Sequence, residues 1–141
     1  MFKLLTSKRL LFRKVELSDA EIMWNEMFHD YEYYKMYHRL AFDSKEEYIQ
    51  YISALIRGYK NPSYYRWSVL PSQRKQGYAK ESISTVSNFA FTDLGFKSVC
   101  CGVYKGNDIV AKTLLNIGFE HDESRSSKVQ NVYVKKGGIL L

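Results

Sequence analysis

The 141-residue chain has only two cysteines, and they are sequence neighbours, Cys100 and Cys101. A bridge between adjacent cysteines is strained and closes no loop, so no disulfide framework staples distant segments. No apolar run approaches the roughly 20 residues that a membrane-spanning helix needs. The amino end, residues 1–13, scatters Lys3, Lys8 and Arg9 among apolar residues and lacks a separate apolar segment with a small-residue cleavage site. Together these absences predict a cytoplasmic protein with no membrane partner. Neither a Gly-x-Gly-x-x-Gly loop nor a Gly-Lys-Ser/Thr loop is present, which argues against dinucleotide and nucleoside triphosphate ligands. His29, His38 and His121 have no metal-ligand spacing with the cysteines, so no metal is expected. No repeat, low-complexity tract or linker interrupts the chain, and its length suits a single domain, 1–141.

Apolar residues at 45% and charged residues at 26% are close to the averages for globular proteins. The net charge of +6 fits either a solvated basic surface or an acidic partner such as a nucleic acid, a ribosome or a phosphorylated cofactor. Charge alone does not choose among them.

Along the chain, Arg9–Val15 reads as a first strand. Ser18-Asp19-Ala20-Glu21 has the spacing of a capping box and predicts a helix through about Phe28. The same device at Ser44-Lys45-Glu46-Glu47 starts a second helix, with Tyr48, Ile52, Leu55 and Tyr59 at helical spacing and Gly58 as its stop. Between these helices, the aromatic stretch Tyr31–Tyr37 reads as an irregular loop that either shapes a ligand pocket or packs over a sheet edge. Tyr65–Leu70 has strand-forming residues and ends at Pro71. A long helix over Tyr78–Leu94 closes at Gly95, a strand covers Lys97–Tyr104, a helix runs from Asn107 to about Asn116 before Gly118, and a last strand covers Val129–Lys135. This order predicts a mixed α and β fold with at least one parallel strand pair joined by a helical crossover. Cys100 and Cys101 fall on opposite faces of their strand.

The strand ending at Leu70 enters Pro71-Ser72-Gln73-Arg74-Lys75-Gln76-Gly77 and turns directly into the long helix. The first N–H groups of a helix have no partner inside it, and the helix dipole is positive there, so this turn predicts an anion site. Gly77 lets the backbone approach the ligand, and Arg74 and Lys75 add charge.

The run Arg74-Lys75-Gln76-Gly77-Tyr78-Ala79 resembles the Arg/Gln-x-x-Gly-x-Gly/Ala signature with which the GNAT superfamily of acetyltransferases cradles the pyrophosphate of coenzyme A. Asn107, Lys112 and the pair Gly118-Phe119 stand in the same order and spacing as that superfamily's asparagine helix and its following Gly-Phe. Thr6-Ser7-Lys8-Arg9-Leu10-Leu11-Phe12-Arg13 with Asp19, Gly77-Tyr78-Ala79-Lys80-Glu81, Phe89-Ala90-Phe91 and Leu94-Gly95 are similar to the group that includes the ribosomal-protein N-acetyltransferases. The resemblance covers nearly the whole chain. It implies an α+β fold with a central mixed sheet flanked by about four helices, and acetyl transfer from acetyl-CoA to a primary amine by direct attack. It also implies that Leu70, Gln73, Arg74, Lys75, Gln76, Gly77, Tyr78, Ala79, Lys80, Asn107 and Lys112 hold the co-substrate. The acceptor would be a protein N-terminus or a small-molecule amine, and DNA is not an expected partner.

The chain departs from the family pattern twice. Tyr59-Lys60-Asn61-Pro62-Ser63 leaves no room for the two-stranded hairpin of relatives, so the sheet is expected to be smaller by two strands, with an exposed edge that a second copy could complete. The tyrosine that many relatives use to protonate the departing thiolate is replaced by Leu114, and their frequent serine after the asparagine by Val110. Tyr104 and Tyr78 are conceivable substitutes, and the catalytic acid and base stay unassigned. The alternative is a relative without chemistry, either a coenzyme A-binding module or a basic ribosome- or RNA-binding domain.

Overall fold

The computed structural model describes residues 2–27, 42–68 and 77–138. They divide into two compact units, Met1–Arg74 and Lys75–Leu141.

In the first unit, β1 (Leu5–Thr6) pairs antiparallel with β2 (Leu11–Phe12), Leu5 opposite Phe12. Within the expected strand Arg9–Val15, Leu11–Phe12 is a strand and Arg13 makes a bridge to Ser68; the first arm, β1, was not expected, and the two strands form a tight hairpin. Its turn has no glycine, proline or asparagine to announce it. Ser7 does their work, donating its N–H to Leu10 O at 2.9 Å and accepting the Leu10 N–H on its hydroxyl at 3.2 Å. Alternation along the strands buries Leu5 and Phe12 and exposes Leu11.

Helix α1 spans Leu17–Met27 and starts earlier than the Ser18 capping box predicts. The cap is Glu16, whose N–H donates to the Asp19 carboxylate at 2.9 Å while the Asp19 N–H returns to Glu16 O at 3.0 Å. Asp19 thus plays the carboxylate half of a box displaced by two residues. It is 1% exposed and receives the Arg13 guanidinium on both oxygens, at 2.6 and 2.9 Å. Burial pushes its pKa up, but hydrogen bonds from Arg13, the Glu16 N–H and Ser68, together with the charge on Arg13, outweigh that and hold the carboxyl below its ordinary value.

Helix α2 (Lys45–Gly58) begins as predicted, with Ser44 Oγ accepting from the Glu47 N–H. It buries Tyr48 and Ile52 against Val15 and Ala20. The helix stops at Gly58, as expected, without a left-handed conformation there. Gly58 is the last helical residue, and a Cβ there would lie 2.8 Å from a ring carbon of Tyr64, so close approach of that ring explains the glycine.

Tyr65–Leu70 does not form the predicted strand within the described residues. Residues 64–68 make one bridge, from Ser68 N–H to Arg13 O at 2.9 Å, and 69–70 lie outside the described residues. Side chains tie this segment down instead. Trp67 Nε1 donates to Lys3 O at 2.9 Å, and the Tyr59 hydroxyl accepts from the Val15 N–H and donates to Arg66 O, both at 2.8 Å.

The second unit contains α3 (Tyr78–Thr92), β3 (Ser98–Tyr104), α4 (Asp108–Asn116), β4 (Glu120–Asp122), a short 3-10 turn over Glu123–Arg125, and β5 (Gln130–Lys136). Helix α3 ends two residues before the predicted Leu94. The Leu94 N–H folds back to Phe89 O at 3.3 Å and the Phe96 N–H to Ala90 O at 2.9 Å, around Gly95 at φ 69°. The sheet order is β3-β5-β4, with both outer strands antiparallel to β5. β3 and β4 therefore point the same way and are joined by a helical crossover through α4, but β5 lies between them. The parallel pair predicted from the element order is replaced by this split arrangement, and every strand pairing among the described residues is antiparallel. Val103, Leu114, Phe119 and Tyr133 form the core, with Ile83 of α3 packed against it. Cys101 packs partly into this cluster while Cys100 is exposed, as strand alternation requires. Four helices and two sheets among the described residues make the mixed α+β fold expected from the sequence.

Candidate functional site

The long helix α3 starts at Gly77, whose φ of 76° and ψ of 11° place it in the left-handed region. Glycine occupies that conformation without strain, and other L-residues do so at a cost of about 1–2 kcal/mol. It brings no side chain to cap the helix. The first amide to close a helical hydrogen bond is that of Glu81, to Gly77 O at 3.2 Å. The turn before it carries the donors a helix cannot use internally, and Gly77, Ala79 and Lys80 along it are exposed. A backbone turn of this kind, bare of Cβ at its apex and at the positive end of a 15-residue helix, suits a phosphate group.

Of the residues expected to hold the co-substrate, Gly77, Tyr78, Ala79 and Lys80 sit together at this helix start. Leu70, Gln73, Arg74, Lys75 and Gln76 lie outside the described residues, as does the aromatic stretch Tyr31–Tyr37. Asn107 and Lys112 are on α4. Asn107 is 8% exposed and is the N-cap of that helix, its Oδ1 accepting from the Val110 N–H at 3.4 Å. Its carboxamide oxygen is committed to holding the helix start, which gives the asparagine a structural task regardless of any ligand. Lys112 is exposed on the same helix. The two helices share one support, because Ile83 of α3 and Val110 and Ala111 of α4 pack against the same core cluster. Each helix thus anchors its first half on that cluster.

Leu114 stands where the resemblance places a tyrosine acid, and it has 0% exposure, packed with Val103, Phe119 and Tyr133. A side chain so placed fills the core and reaches neither solvent nor a cleft. Cys101 is not poised as a nucleophile: burial, and then the neighbouring Cys100, push its thiol up from its ordinary pKa.

The sequence reading missed β4 and with it an open pocket of about 440 Å³ lined by Gly118, Glu120, His121, Asp122, Glu123 and Lys136. The pairing of Ser126 Oγ with His121 Nε2 at 3.2 Å beside it superficially suggests a nucleophile and base. The hydroxyl proton, however, goes to Asp122 O at 2.8 Å, and Oγ also accepts from the Val132 N–H at 3.0 Å. With that proton spoken for, the imidazole can only donate to the serine, so the contact fixes the turn after β4. No group of three or more His, Cys, Asp or Glu among the described residues could hold a metal, and no helix among them is long and apolar enough to cross a membrane.

Residues 64–120 match the acetyltransferase (GNAT) domain model. No curated protein matches the chain. Among solved structures, a putative ribosomal-protein-serine acetyltransferase from Vibrio cholerae superposes with a TM-score of 0.77 at 15% identity, covering 96% of this chain and 99% of that one. The acetyltransferase (GNAT family) from Bacillus anthracis gives 0.72 at 16% identity, with 96% and 99% covered. The microcin C7 self immunity acetyltransferase MccE, solved in complex with acetyl-CoA and AMP, gives 0.70 at 13% identity over 92% and 93%. At such identities these likenesses establish the fold.

Proposed function

We propose that the chain is an acetyltransferase of the GNAT kind, that it transfers an acetyl group from acetyl-CoA to a primary amine, on a protein N-terminus or a small molecule, and that the whole chain acts as one transferase domain; the match of residues 64–120 to the GNAT domain model and the likeness in fold support this reading. The observation that carries this reading is Gly77, a left-handed residue without Cβ at the exposed start of α3. The amides of that first turn would receive the diphosphate of the co-substrate, with Tyr78, Ala79 and Lys80 on the helix and Leu70, Gln73, Arg74, Lys75 and Gln76 on the loop before it. Asn107 and Lys112 complete the set on α4, the asparagine by fixing where that helix begins.

Acetyl-CoA supplies an activated acyl group, and direct attack by an amine forms the amide while the sulfur leaves as a thiol. The protein's share is to hold the co-substrate and amine in line and to provide a route for the amine proton. The burial of Leu114 favours a second reading, in which the chain binds coenzyme A without performing chemistry.

Incubation of the purified protein with acetyl-CoA and a panel of peptide N-termini, polyamines, amino acids and aminoglycosides, read by thiol release, separates the two. Release with any acceptor class supports the transferase. Silence accompanied by calorimetric binding of coenzyme A supports the non-catalytic binder, and silence without binding refutes both.

A further inference from the structure

The chain's positive charge is not spread evenly. Residues 2–16 and 57–68 hold eight of the 21 Lys and Arg residues but only one of the 15 Asp and Glu residues, Glu16. The remainder of the chain, with 13 basic and 14 acidic residues, is close to neutral.

The fold of the first unit brings these two segments together although more than 40 residues separate them in sequence. Ser68 bridges to Arg13, Trp67 Nε1 bonds Lys3 O, and the Tyr59 hydroxyl accepts from the Val15 N–H. Aromatic rings lie between the cations. Phe2 contacts Tyr59 and Trp67 at centroid distances of 5.3 and 5.9 Å, and Tyr65 stacks on Trp67 at 5.8 Å with 22° between the planes. The Lys14 ammonium lies over the Phe2 and Tyr59 rings, at 5.2 and 5.0 Å. Phe2, Tyr59, Tyr65 and Trp67 are half-buried, whereas Lys14, Lys60 and Arg66 are exposed. Asp19, which Arg13 contacts, is buried and paired with it, so it does not offset the field outside.

We propose that this basic, ring-lined surface of the first unit binds single-stranded RNA. Cations at the rim neutralise phosphates, and partly exposed rings give bases a face on which to stack, the combination by which single strands are held without sequence preference. An acidic polypeptide such as polyglutamate has no planar bases to stack on the rings, so it engages the cations alone. An anionic membrane would be met by an amphipathic helix laid flat with its apolar face in the headgroup layer, whereas this surface rests on a short hairpin and the irregular segment 64–68. The proposal does not depend on acetyl transfer, since it concerns a different unit from the start of α3.

The test is fluorescence anisotropy with a labelled oligouridylate of about 12 nucleotides, within the site sizes typical of single-strand binders, measured across a salt series. Saturable binding should weaken as salt rises, and a duplex RNA of equal length should bind roughly tenfold more weakly, because paired bases cannot stack on the rings. The triple variant Lys14→Ala, Lys60→Ala, Arg66→Ala should weaken binding roughly tenfold or more and lower the slope of log K against log salt by about 2, at about 0.7 per phosphate contact. Lys14→Arg, Lys60→Arg, Arg66→Lys keeps the charge and should keep the affinity. A control with the same loss of charge in the second unit, Lys97→Ala, Lys105→Ala, Lys128→Ala, should bind as the parent does. Circular dichroism confirms that each variant is folded, and if the triple alanine variant unfolds, the single variants Lys14→Ala, Lys60→Ala and Arg66→Ala, each expected to weaken binding and lower the salt slope by about 0.7, decide the matter. No binding at about 50 mM salt, equal losses in the two alanine variants, preference for duplex, competition by coenzyme A, or equal affinity for polyglutamate or anionic vesicles would each overturn the proposal.

Discussion

Replacing Gly77 by alanine perturbs two things at once, and a matched partner separates them. At φ 76°, alanine must adopt a left-handed conformation that costs about 1–2 kcal/mol. Gly95, at the other end of the same helix, has φ 69° and no atom within 4 Å of where a methyl group would sit, so Gly95→Ala carries a similar strain and no clash. Both variants should therefore lose roughly 3–8 °C in melting temperature, at about 3–4 °C per kcal/mol for a chain of this size. Only Gly77→Ala places a methyl group between the α3 amides and a docked diphosphate. Its affinity for coenzyme A should fall at least tenfold, equivalent to about 1.4 kcal/mol, while Gly95→Ala retains the parent's. Gly77→Asn sharpens the comparison, because asparagine tolerates the left-handed region better than alanine and should spare stability while still obstructing the ligand. Isothermal titration calorimetry with coenzyme A, run beside thermal denaturation, reads both quantities. Equal affinity losses at Gly77 and Gly95, or no loss at either, would refute the placement of the diphosphate on this turn.

Other outcomes follow from the packing. Asp19→Ala should cost about 3 kcal/mol, because it leaves the Arg13 guanidinium and the Glu16 amide without their acceptor; chemical denaturation measures it. Since the folded pKa of Asp19 lies below its unfolded value, its contribution is fully present above the unfolded pKa of about 4 and is lost as pH falls through the folded pKa, so Asp19→Asn should flatten the acid limb of a stability-against-pH curve. Among the described residues the buried Tyr64 hydroxyl has no hydrogen-bond partner, so Tyr64→Phe should leave stability unchanged or raise it by about 1 kcal/mol in the same measurement. Leu114→Tyr should destabilise by about 1–3 kcal/mol through overpacking and should not raise thiol release, because position 114 faces the core.

Periodicity and capping chemistry made the helices legible. Ser44 and Glu47 mark the start of α2, and the stripe through Ile83, Phe89 and Ala90 marks the buried face of α3. The small strands were not legible, because their signals are too short to carry a period. β4 is Glu-His-Asp, without apolar alternation, and is a strand only because β5 offers it partners. The β1–β2 hairpin was hidden by a turn that relies on a serine hydroxyl rather than on glycine. Gly58 was legible as the helix stop, but the close approach of the Tyr64 ring that also favours glycine there was not, since it is visible only once Tyr64 is in place. For the candidate site, Gly77 was legible from its place between a basic loop and a helical pattern, and the structure adds its left-handed geometry. What position 114 can do was not legible, because whether it faces a cleft or the core depends on packing among Val103, Phe119 and Tyr133 rather than on spacing.

The strand that appears last in the chain occupies the middle of the second unit's sheet. Until Gln130–Lys136 is available, β3 and β4 lack the only partner they have among the described residues, and the seven residues of β3 are without a described partner on either edge. Assembly of this half therefore waits on its final segment, a long-range closure that cannot proceed stepwise as the polypeptide is made. Deleting β5 would therefore remove the keystone of this sheet rather than trim a margin.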